Sequence, residues 1–492
     1  MMSSEPATLN YPLYNFRLSQ QICGNINESL LLFDWQFKPH PNLARSFKIS
    51  PDGLTYTFHL EPEVLWHDGV AFTAHDVVFS SDVMLRQLNT RSRAALSHCE
   101  TIRALDARTV EYRLKQPFNA FLLSFMASSG PMMPAHIYEG TDFRINPFNN
   151  KPIGTGPFKF KKWSRGQYIH LVRNDHYWRR GRPQLDEIYF RVIEGAEQRM
   201  VALESGAIDM GFGDAIDPVV MSRLQAKPHL RCVTNAYDGD GEMGLMEINQ
   251  RRFPFSDRRF RAALIHAINK EFLVNGLNFG HGKVAHGPIA STAPYFDDKS
   301  LVKYPFDPAR ARALLDEMGL RPRTGGVRAK LGMMMLPDGG GAWTRFARYA
   351  KQALGDIGLE VELQSADWAT FTRRNGSWDF DLAWNSYGLF GDPAIGMSRL
   401  FLSSNIRKGI PATNVQGYIN PQVDDLFGKA ANALQHDEAQ RCYSHIQQIL
   451  TRDVAMLWMF ETKPPVFYNK RFKDVITGPN GPSDGFGQAS LA

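Results

Sequence analysis

The chain has 492 residues, of which 43% are hydrophobic and 22% charged, and its 56 Lys and Arg residues only slightly outnumber its 50 Asp and Glu residues. This composition excludes the class of chains that stay disordered, and the length exceeds what one hydrophobic core supports, so we expect two or three lobes of about 100–200 residues each. No apolar run approaches the roughly 20 residues that span a bilayer, and the basic residues are scattered, so we expect no membrane-spanning helix and no nucleic-acid partner.

The first half of the chain is predicted to contain short strands joined by turns. Leu54–Leu60 alternates in the way of a half-buried strand, and Thr109–Leu114 is predicted to be a second strand. Between these strands, Thr73 is followed by Asp76, which predicts a helix start of the capping-box type. Two further strands are predicted, at Tyr168–Val172 and Asp186–Ile193.

Helices and strands alternate in the second half, which favours an α/β lobe. Asp307 and Pro308 are typical of a helix N-terminus, because Asp caps the first turn and Pro is tolerated in it. No Gly/Ser-rich linker separates the lobes, so we expect the chain to pass between them more than once. The predicted elements are the helix Gln198–Ser205, the strand Ala207–Phe212, a helix from Asp307 through Met318, the helix Trp343–Ile357, the strand Leu359–Leu363, the helix Trp368–Arg374, the strand Phe380–Trp384, the helices Pro421–Leu434 and Glu438–Thr451, and the strand Ala455–Phe460.

The cysteines and the first residues indicate little about the compartment. The four cysteines lie far apart without a C-x-x-C pair, which disfavours a zinc site and a disulfide scaffold. We expect buried free thiols, with one long-range disulfide as the alternative. Residues 1–16 have neither the basic nor the apolar region of a signal peptide, which fits a mature start or a cytoplasmic protein.

Common catalytic and metal-binding motifs do not occur in the sequence, including G-x-S-x-G, H-E-x-x-H and the P-loop pattern. The Gly- and Pro-rich segment Pro152–Phe160 is interpreted as a structural turn, because proline removes an amide that a bound anion would need. His281 and His286 lack a third metal ligand nearby, so we favour a plain loop there. His67, in a Trp-His-Asp-Gly turn, is expected on the surface. We therefore predict no metal, no cofactor and no enzyme activity, with a peptide hydrolase of dispersed catalytic residues as the alternative of another class.

The segment Trp384–Pro393 (WNSYGLFGDP) is the strongest candidate binding site. It follows a predicted buried strand, at whose carboxyl end α/β proteins commonly bind ligands. Aromatic and hydrogen-bonding groups come from Trp384, Asn385 and Tyr387, and Asp392 supplies one carboxylate. The residues leave two interpretations of Asp392 equally open: it pairs with a ligand ammonium group, or it caps a helix N-terminus.

Several segments together resemble the extracellular solute-binding proteins of ABC importers, in the family that includes dipeptide-, oligopeptide- and nickel-binding proteins. They occur in family order and cover nearly the whole chain. The segments are Ile49–Ser80, Asn146–Phe160, Asn174–Trp178 (NDHYW), Glu204–Met210 (ESGAIDM), Arg258–Glu271 (RRFRAALIHAINKE), Tyr304–Gly319 (YPFDPARARALLDEMG) and Gly391–Phe401 (GDPAIGMSRLF).

This resemblance implies an α/β, two-lobed periplasmic-binding-protein type II fold with an extra subdomain inserted in the first lobe. Lobe I would comprise residues 1–36, 152–240 and 466–492, the inserted subdomain residues 37–151, and lobe II residues 241–465. Ligand would bind between the lobes, and hinge closure would present the closed form to a membrane permease.

The resemblance also implies which residues bind the ligand. Asp392 resembles the carboxylate that pairs with the amino group in peptide-binding relatives. The loop Met335–Trp343, where dipeptide binders carry an arginine for the ligand carboxylate, has none here before Arg345, so Arg407 is our candidate for that role. Tyr14 and Trp343 complete the predicted ligand-binding set, together with Trp384, Asn385 and Tyr387.

The leading hypothesis is a non-catalytic, monomeric periplasmic receptor for a peptide or a similar amino-bearing solute. Its expected partners are the permease of an ABC importer and the associated ATPase subunits. The alternatives in the same class are receptors for a nickel chelate, an opine or a glutathione-like solute. A cytoplasmic regulator that reuses the solute-binding fold is disfavoured, because no helix-turn-helix region lies outside the matching segments.

Overall fold

The computed structural model describes residues 1–13, 17–126, 129–213, 216–323, 325–337 and 341–492, and only the backbone of Thr90 and Arg91. The chain divides into two compact units. Unit 1 comprises residues 1–239 and 464–492, and unit 2 comprises residues 240–463. Within the described ranges, no helix is both long enough and apolar enough to cross a bilayer.

The strands are distributed over both units. In chain order they are β1 Leu31–Phe33, β2 Pro39–Pro41, β3 Ala44–Ile49, β4 Thr55–Leu60, β5 Cys99–Asp106, β6 Thr109–Leu114, β7 Phe158–Ser164, β8 Tyr168–Arg173, β9 Glu187–Arg191, β10 Met210–Gly211, β11 Leu230–Val233, β12 Met243–Ile248, β13 Lys283–Val284, β14 Ala329–Met334, β15 Leu359–Gln364, β16 Leu382–Tyr387, β17 Leu457–Glu461, β18 Val466–Asn469, β19 Phe472–Lys473 and β20 Ser490–Leu491.

The longer helices belong to unit 2. In chain order the α-helices are α1 Arg17–Cys23, α2 Ala74–Val78, α3 Arg86–Leu88, α4 Thr90–Leu96, α5 Ala135–Tyr138, α6 Ala196–Glu204, α7 Met221–Gln225, α8 Arg258–Ala267, α9 Pro308–Glu317, α10 Ala342–Gly355, α11 Trp368–Gly376, α12 Pro393–Gly396, α13 Ser398–Phe401, α14 Pro421–Asn432 and α15 His436–Asp453.

Unit 1 is built from small antiparallel sheets. The largest has the strand order β3-β4-β6-β5, and two three-stranded sheets have the orders β7-β8-β9 and β10-β18-β11. The four-stranded sheet lies within residues 37–151, the segment predicted to form an inserted subdomain; that assignment remains a prediction.

Unit 2 is a mixed six-stranded sheet of order β13-β17-β12-β16-β14-β15 with helices on both faces. The central strand β12 is buried along its whole length and shows how the two cores are separated. Met246 and Ile248 face a core shared with α8 to α11, while Met243 and Leu245 face a core shared with α13 to α15. Successive side chains of a strand point to opposite faces, so one strand serves both cores.

The predicted α/β class is confirmed, and so are the two helix starts. Thr73 and Asp76 form the predicted capping box, and the Asp307 carboxylate accepts a hydrogen bond from the Arg310 amide at 2.8 Å. The predicted strand Ala207–Phe212 is wrong in extent, because only β10 pairs there. The Ile208 amide instead donates back to the Ala202 carbonyl oxygen at 3.0 Å, which continues the turn after α6.

Candidate functional site

Several strands of the unit 2 sheet begin or end at the same edge of the sheet. β14 is parallel to both β15 and β16, so these three strands end at the same edge. β12 begins at that edge and β17 ends there, since Met243 pairs with both Tyr387 and Glu461. Ligands of α/β proteins bind outside the carboxyl ends of parallel strands. This edge is therefore the candidate site within unit 2.

A tight loop follows β16 at this edge. The amides of Leu389 and Phe390 both donate to the Asp240 carbonyl oxygen, at 2.7 and 3.2 Å. A Cβ atom on Gly388 would lie only 2.8 Å from the same oxygen, so this position requires glycine. Gly391 has a φ of +83°, which glycine adopts without strain. These backbone contacts fix the conformation of the loop and therefore the position of Asp392.

Asp392 is a buried carboxylate with one satisfied oxygen. Its Oδ1 accepts hydrogen bonds from the Ala394 amide at 2.7 Å and from the Tyr443 hydroxyl at 3.3 Å. Among the described residues, no donor is bound to Oδ2. The side chain is 5% exposed, and burial raises the pKa of Asp392 to about 7, against the lowering effect of those two hydrogen bonds. The helix N-cap interpretation is confirmed, because Asp392 caps α12, and the second oxygen is left for another partner.

Asn385 and Tyr387 meet at a carboxylate that the sequence did not single out. The Glu247 side chain is fully buried in β12 and accepts from Asn385 Nδ2 at 3.1 Å and from the Tyr387 hydroxyl at 2.8 Å. Asn375 Nδ2 donates to the same carboxylate at 2.5 Å. Burial raises the pKa of Glu247, opposed by these three hydrogen bonds and by the charge of Arg399. Its signal in the sequence was a single charge inside the apolar run MGLMEI.

The predicted aromatic residues Trp384 and Trp343 pack in the core. Trp384 is 0% exposed, and it points away from Asn385 because neighbouring residues of a strand alternate. Its ring centroid lies 6.2 Å from that of Trp343 and 6.1 Å from that of Phe346. Trp343 is half-buried against the same core. An aromatic residue next to a site has the same sequence pattern as an aromatic residue of the core, so the pattern alone could not separate the two.

The remaining predicted residues lie elsewhere or outside the described ranges. Arg407 is on an exposed turn, where its Nε donates to the Ser404 carbonyl oxygen at 3.3 Å. Arg399 lies beside the loop, with its guanidinium carbon 5.2 Å from the centroid of the Tyr387 ring, and the role predicted for Arg407 remains a prediction. Tyr14 and residues 338–340 of the predicted carboxylate-binding loop lie outside the described residues.

Glu28 is a buried carboxylate of unit 1. Its Oε2 accepts from Thr155 Oγ1 and from Trp178 Nε1, both at 3.0 Å, and its Oε1 accepts from the Tyr177 hydroxyl at 2.8 Å. Burial raises the pKa of Glu28, against these hydrogen bonds and the charge of Arg179. Glu28 thus ties the N-terminal segment to the Gly-rich turn and to the NDHYW segment.

The Gly-rich turn is structural, as predicted, but the surface position predicted for His67 is wrong. His67 is half-buried: its Nδ1 accepts from the Gly154 amide at 3.2 Å, and its Nε2 bonds the Gly156 carbonyl oxygen at 2.9 Å. Burial lowers the pKa of His67 to about 4, so the ring is neutral at pH 7. The sequence could not indicate this contact, because its partners lie almost ninety residues away.

The two histidines of the loop before Pro288, His281 and His286, are interpreted as part of a plain loop. His286 Nδ1 lies 3.4 Å from Lys270 Nζ. Within the residues that the structure describes, no group of three or more His, Cys, Asp or Glu side chains is placed to hold a metal. The cysteines are free thiols, and Cys23 and Cys99 are buried.

Comparison with known proteins gives one family. The model of the bacterial extracellular solute-binding proteins, family 5 Middle, matches residues 38–408. The oligopeptide-binding protein AppA of Bacillus subtilis (strain 168) is 29% identical over 435 residues, which are 85% of this chain and 77% of AppA. The probable D,D-dipeptide-binding periplasmic protein DdpA of Escherichia coli (strain K12) is 27% identical over 476 residues, 96% of this chain and 87% of DdpA.

A solved structure with the same fold is the periplasmic binding protein DppA from Helicobacter pylori in complex with the peptide STSA. Its TM-score is 0.85, with 24% identity, and the match covers 99% of this chain and 96% of DppA. The type II periplasmic-binding-protein fold is thereby confirmed.

Proposed function

Since the chain belongs to the bacterial extracellular solute-binding proteins of family 5 and is the substrate-binding component of an ABC importer, we propose that its solute is a peptide or a similarly sized molecule with an amino group. The family and the relatives named above are binding proteins rather than enzymes. We further propose that the protein works in the periplasm as a monomer, without catalysis, and delivers the solute to a membrane permease with its ATPase subunits.

The observation that carries this proposal is that no residue in the described ranges donates to Oδ2 of the buried Asp392 carboxylate. A buried carboxylate usually has donors or a cation at both oxygens, because an uncompensated buried charge is costly. Asp392 has its two hydrogen bonds at Oδ1. A solute ammonium group at Oδ2 would supply both the missing hydrogen bond and the compensating charge.

The pH dependence of binding tests this role. Because the pKa of Asp392 is raised to about 7, binding of an ammonium group below that pH must release a proton. The association constant should therefore rise up to about tenfold per pH unit towards pH 7 and fall above about pH 8, where a peptide amino group loses its charge.

The experiment is isothermal titration with a tetrapeptide and with the same tetrapeptide acetylated at its N-terminus. We expect the acetylated peptide to bind at least tenfold more weakly at pH 7.5, and Asp392→Asn to abolish both the preference and the pH dependence. Equal binding of the two peptides, or an unchanged pH profile in Asp392→Asn, would remove the ammonium anchor.

The same titration decides between solute classes. Binding of an opine, a nickel chelate or glutathione in place of the peptide would redirect the proposal to that solute. Mass spectrometry of the peptide after incubation with the protein should recover it intact, whereas cleavage products would favour a hydrolase.

A further inference from the structure

Glu247 is a charged residue in a strand that is otherwise apolar. All six residues of β12 are buried, and Glu247 is 0% exposed. Its carboxylate joins two separate segments, since Asn375 is at the end of α11 while Asn385 and Tyr387 are on β16. The two β16 residues also bond each other, with Asn385 Nδ2 2.8 Å from the Tyr387 hydroxyl oxygen.

Tyr387 is held at both its hydroxyl and its ring. The hydroxyl donates to Glu247, and the guanidinium of Arg399 lies against the ring. Arg399 is in turn anchored to the loop region, because its Nε donates to the Gly396 carbonyl oxygen at 3.0 Å and its Nη1 to the Ala412 carbonyl oxygen at 2.7 Å. Tyr387 is the last residue of β16, so its position sets where the 388–392 loop begins.

The three donors favour the unprotonated carboxylate of Glu247, against the effect of burial on its pKa. All three partners donate, and a carboxylate is the side chain that accepts without donating. A glutamine of the same shape would turn an N–H group towards another donor. Because glutamine keeps the shape and one acceptor oxygen, the effect expected of Glu247→Gln is mainly on the arrangement of these partners.

We propose that Glu247 is a positioning residue for the solute: through Asn385 and Tyr387, its carboxylate holds the 388–392 loop that carries Asp392. This inference rests on the proposed function, in which Asp392 meets the solute. Glu247 itself does not touch the solute.

The first test is Glu247→Gln, which keeps the packing and removes an acceptor. We expect the unblocked tetrapeptide to bind at least tenfold more weakly, while the thermal unfolding midpoint stays within a few degrees of wild type. The matched control is Asp76→Asn, a buried carboxylate that accepts from the Thr73 and Ala135 amides within unit 1. It should leave the affinity within twofold of wild type. Wild-type affinity in Glu247→Gln would overturn the proposal.

A double-mutant cycle with Tyr387→Phe shows whether Glu247 acts through Tyr387. We expect the double variant to bind within about twofold of Glu247→Gln, because both changes break the same contact. Losses that simply multiply would contradict action through Tyr387. The Tyr387→Phe variant also keeps the test valid if Glu247→Gln does not fold.

Hydrogen-exchange mass spectrometry tests the loop without a solute. The amides of Leu389 and Phe390 are bonded to Asp240, and we expect residues 388–392 to exchange at least tenfold faster in Glu247→Gln and as in wild type in Asp76→Asn. Unchanged exchange would overturn the positioning role. If the wild-type protein binds no amino-bearing solute, the proposed function fails, and the exchange rates still decide whether Glu247 holds the loop.

Discussion

Two buried carboxylates, Glu28 in unit 1 and Asp392 in unit 2, show how similar burial serves different ends. Burial raises the pKa of both groups. Glu28 accepts hydrogen bonds at both oxygens and lies near the charge of Arg179. Asp392 accepts at Oδ1 from one amide and one hydroxyl.

This difference indicates that hydrogen bonding at both oxygens, more than burial, distinguishes a structural carboxylate from one that is available to a ligand. A carboxylate with donors at both oxygens has little to gain from a new partner. A carboxylate with one open oxygen gains both a hydrogen bond and charge compensation. Glu247, like Glu28, accepts hydrogen bonds at both carboxylate oxygens. We therefore assign Glu247 a positioning role.

The largest expected effect is on the pH dependence of stability at Asp392. Burial raises the pKa of the folded Asp392 carboxyl to about 7 from its ordinary value of 3.8, so between pH 4 and 7 the folded chain holds a proton that the unfolded chain has lost. Stability should therefore fall as pH rises through this window, by up to about 1.4 kcal/mol per pH unit and about 4 kcal/mol in total.

Urea unfolding of wild type and Asp392→Asn at several pH values measures this pH-dependent contribution of Asp392 to the free energy of unfolding. The stability of the variant relative to wild type should rise from pH 4 to 7 and level off above. A difference in stability that stays constant with pH would show that burial does not raise the pKa of Asp392, and it would contradict the comparison with Glu28.

The second prediction concerns Glu28→Ala. This change leaves the buried donors of Thr155, Tyr177 and Trp178 without their acceptor, and we expect a loss of about 3 kcal/mol in the free energy of unfolding. Glu63→Ala, at an exposed position of unit 1, is the control and should change stability by less than about 0.5 kcal/mol. A loss in Glu28→Ala as small as that of the control would show that the saturated carboxylate is not structural.

The smallest expected effect is that of Tyr443→Phe. It removes one of the two donors to Asp392 Oδ1, a change of about 1 kcal/mol, so the pKa of Asp392 should rise further. Peptide affinity at pH 6.5 should then drop about fivefold, with the pH midpoint of binding moved upwards. Tyr349→Phe, whose hydroxyl accepts from the Asn269 amide in the same unit, should leave that midpoint in place.

Much of the fold could be predicted because its signals are local. The capping box at Thr73 and the Asp307 cap each involve residues three positions apart. Strands such as β6 follow from alternation alone, and the segments that resemble the solute-binding family carried the fold class. Where a prediction failed, as in the extent of β10, a backbone hydrogen bond of the preceding turn had replaced strand pairing.

The site was predicted less completely. The sequence indicated the N-cap role of Asp392 and singled out Asn385 and Tyr387, whose ligand-binding roles, like that of Asp392, remain predictions. It did not indicate that these two side chains bond Glu247, and it could not separate Trp384 in the core from an aromatic residue at a surface. The roles predicted for Trp343, Tyr14 and Arg407 remain predictions.

The sequence by itself therefore determined two helix starts, several of the strands, the family and the place of the loop that follows β16, because each depends on neighbours along the chain or on ordered segments. Only the tertiary structure decided which carboxylates are saturated. Asn375 and Glu247 are 128 positions apart, and Trp178 and Glu28 are 150 apart. Contacts over such separations are set by how strands and helices pack, so hydrogen-bond saturation is a property of the folded chain.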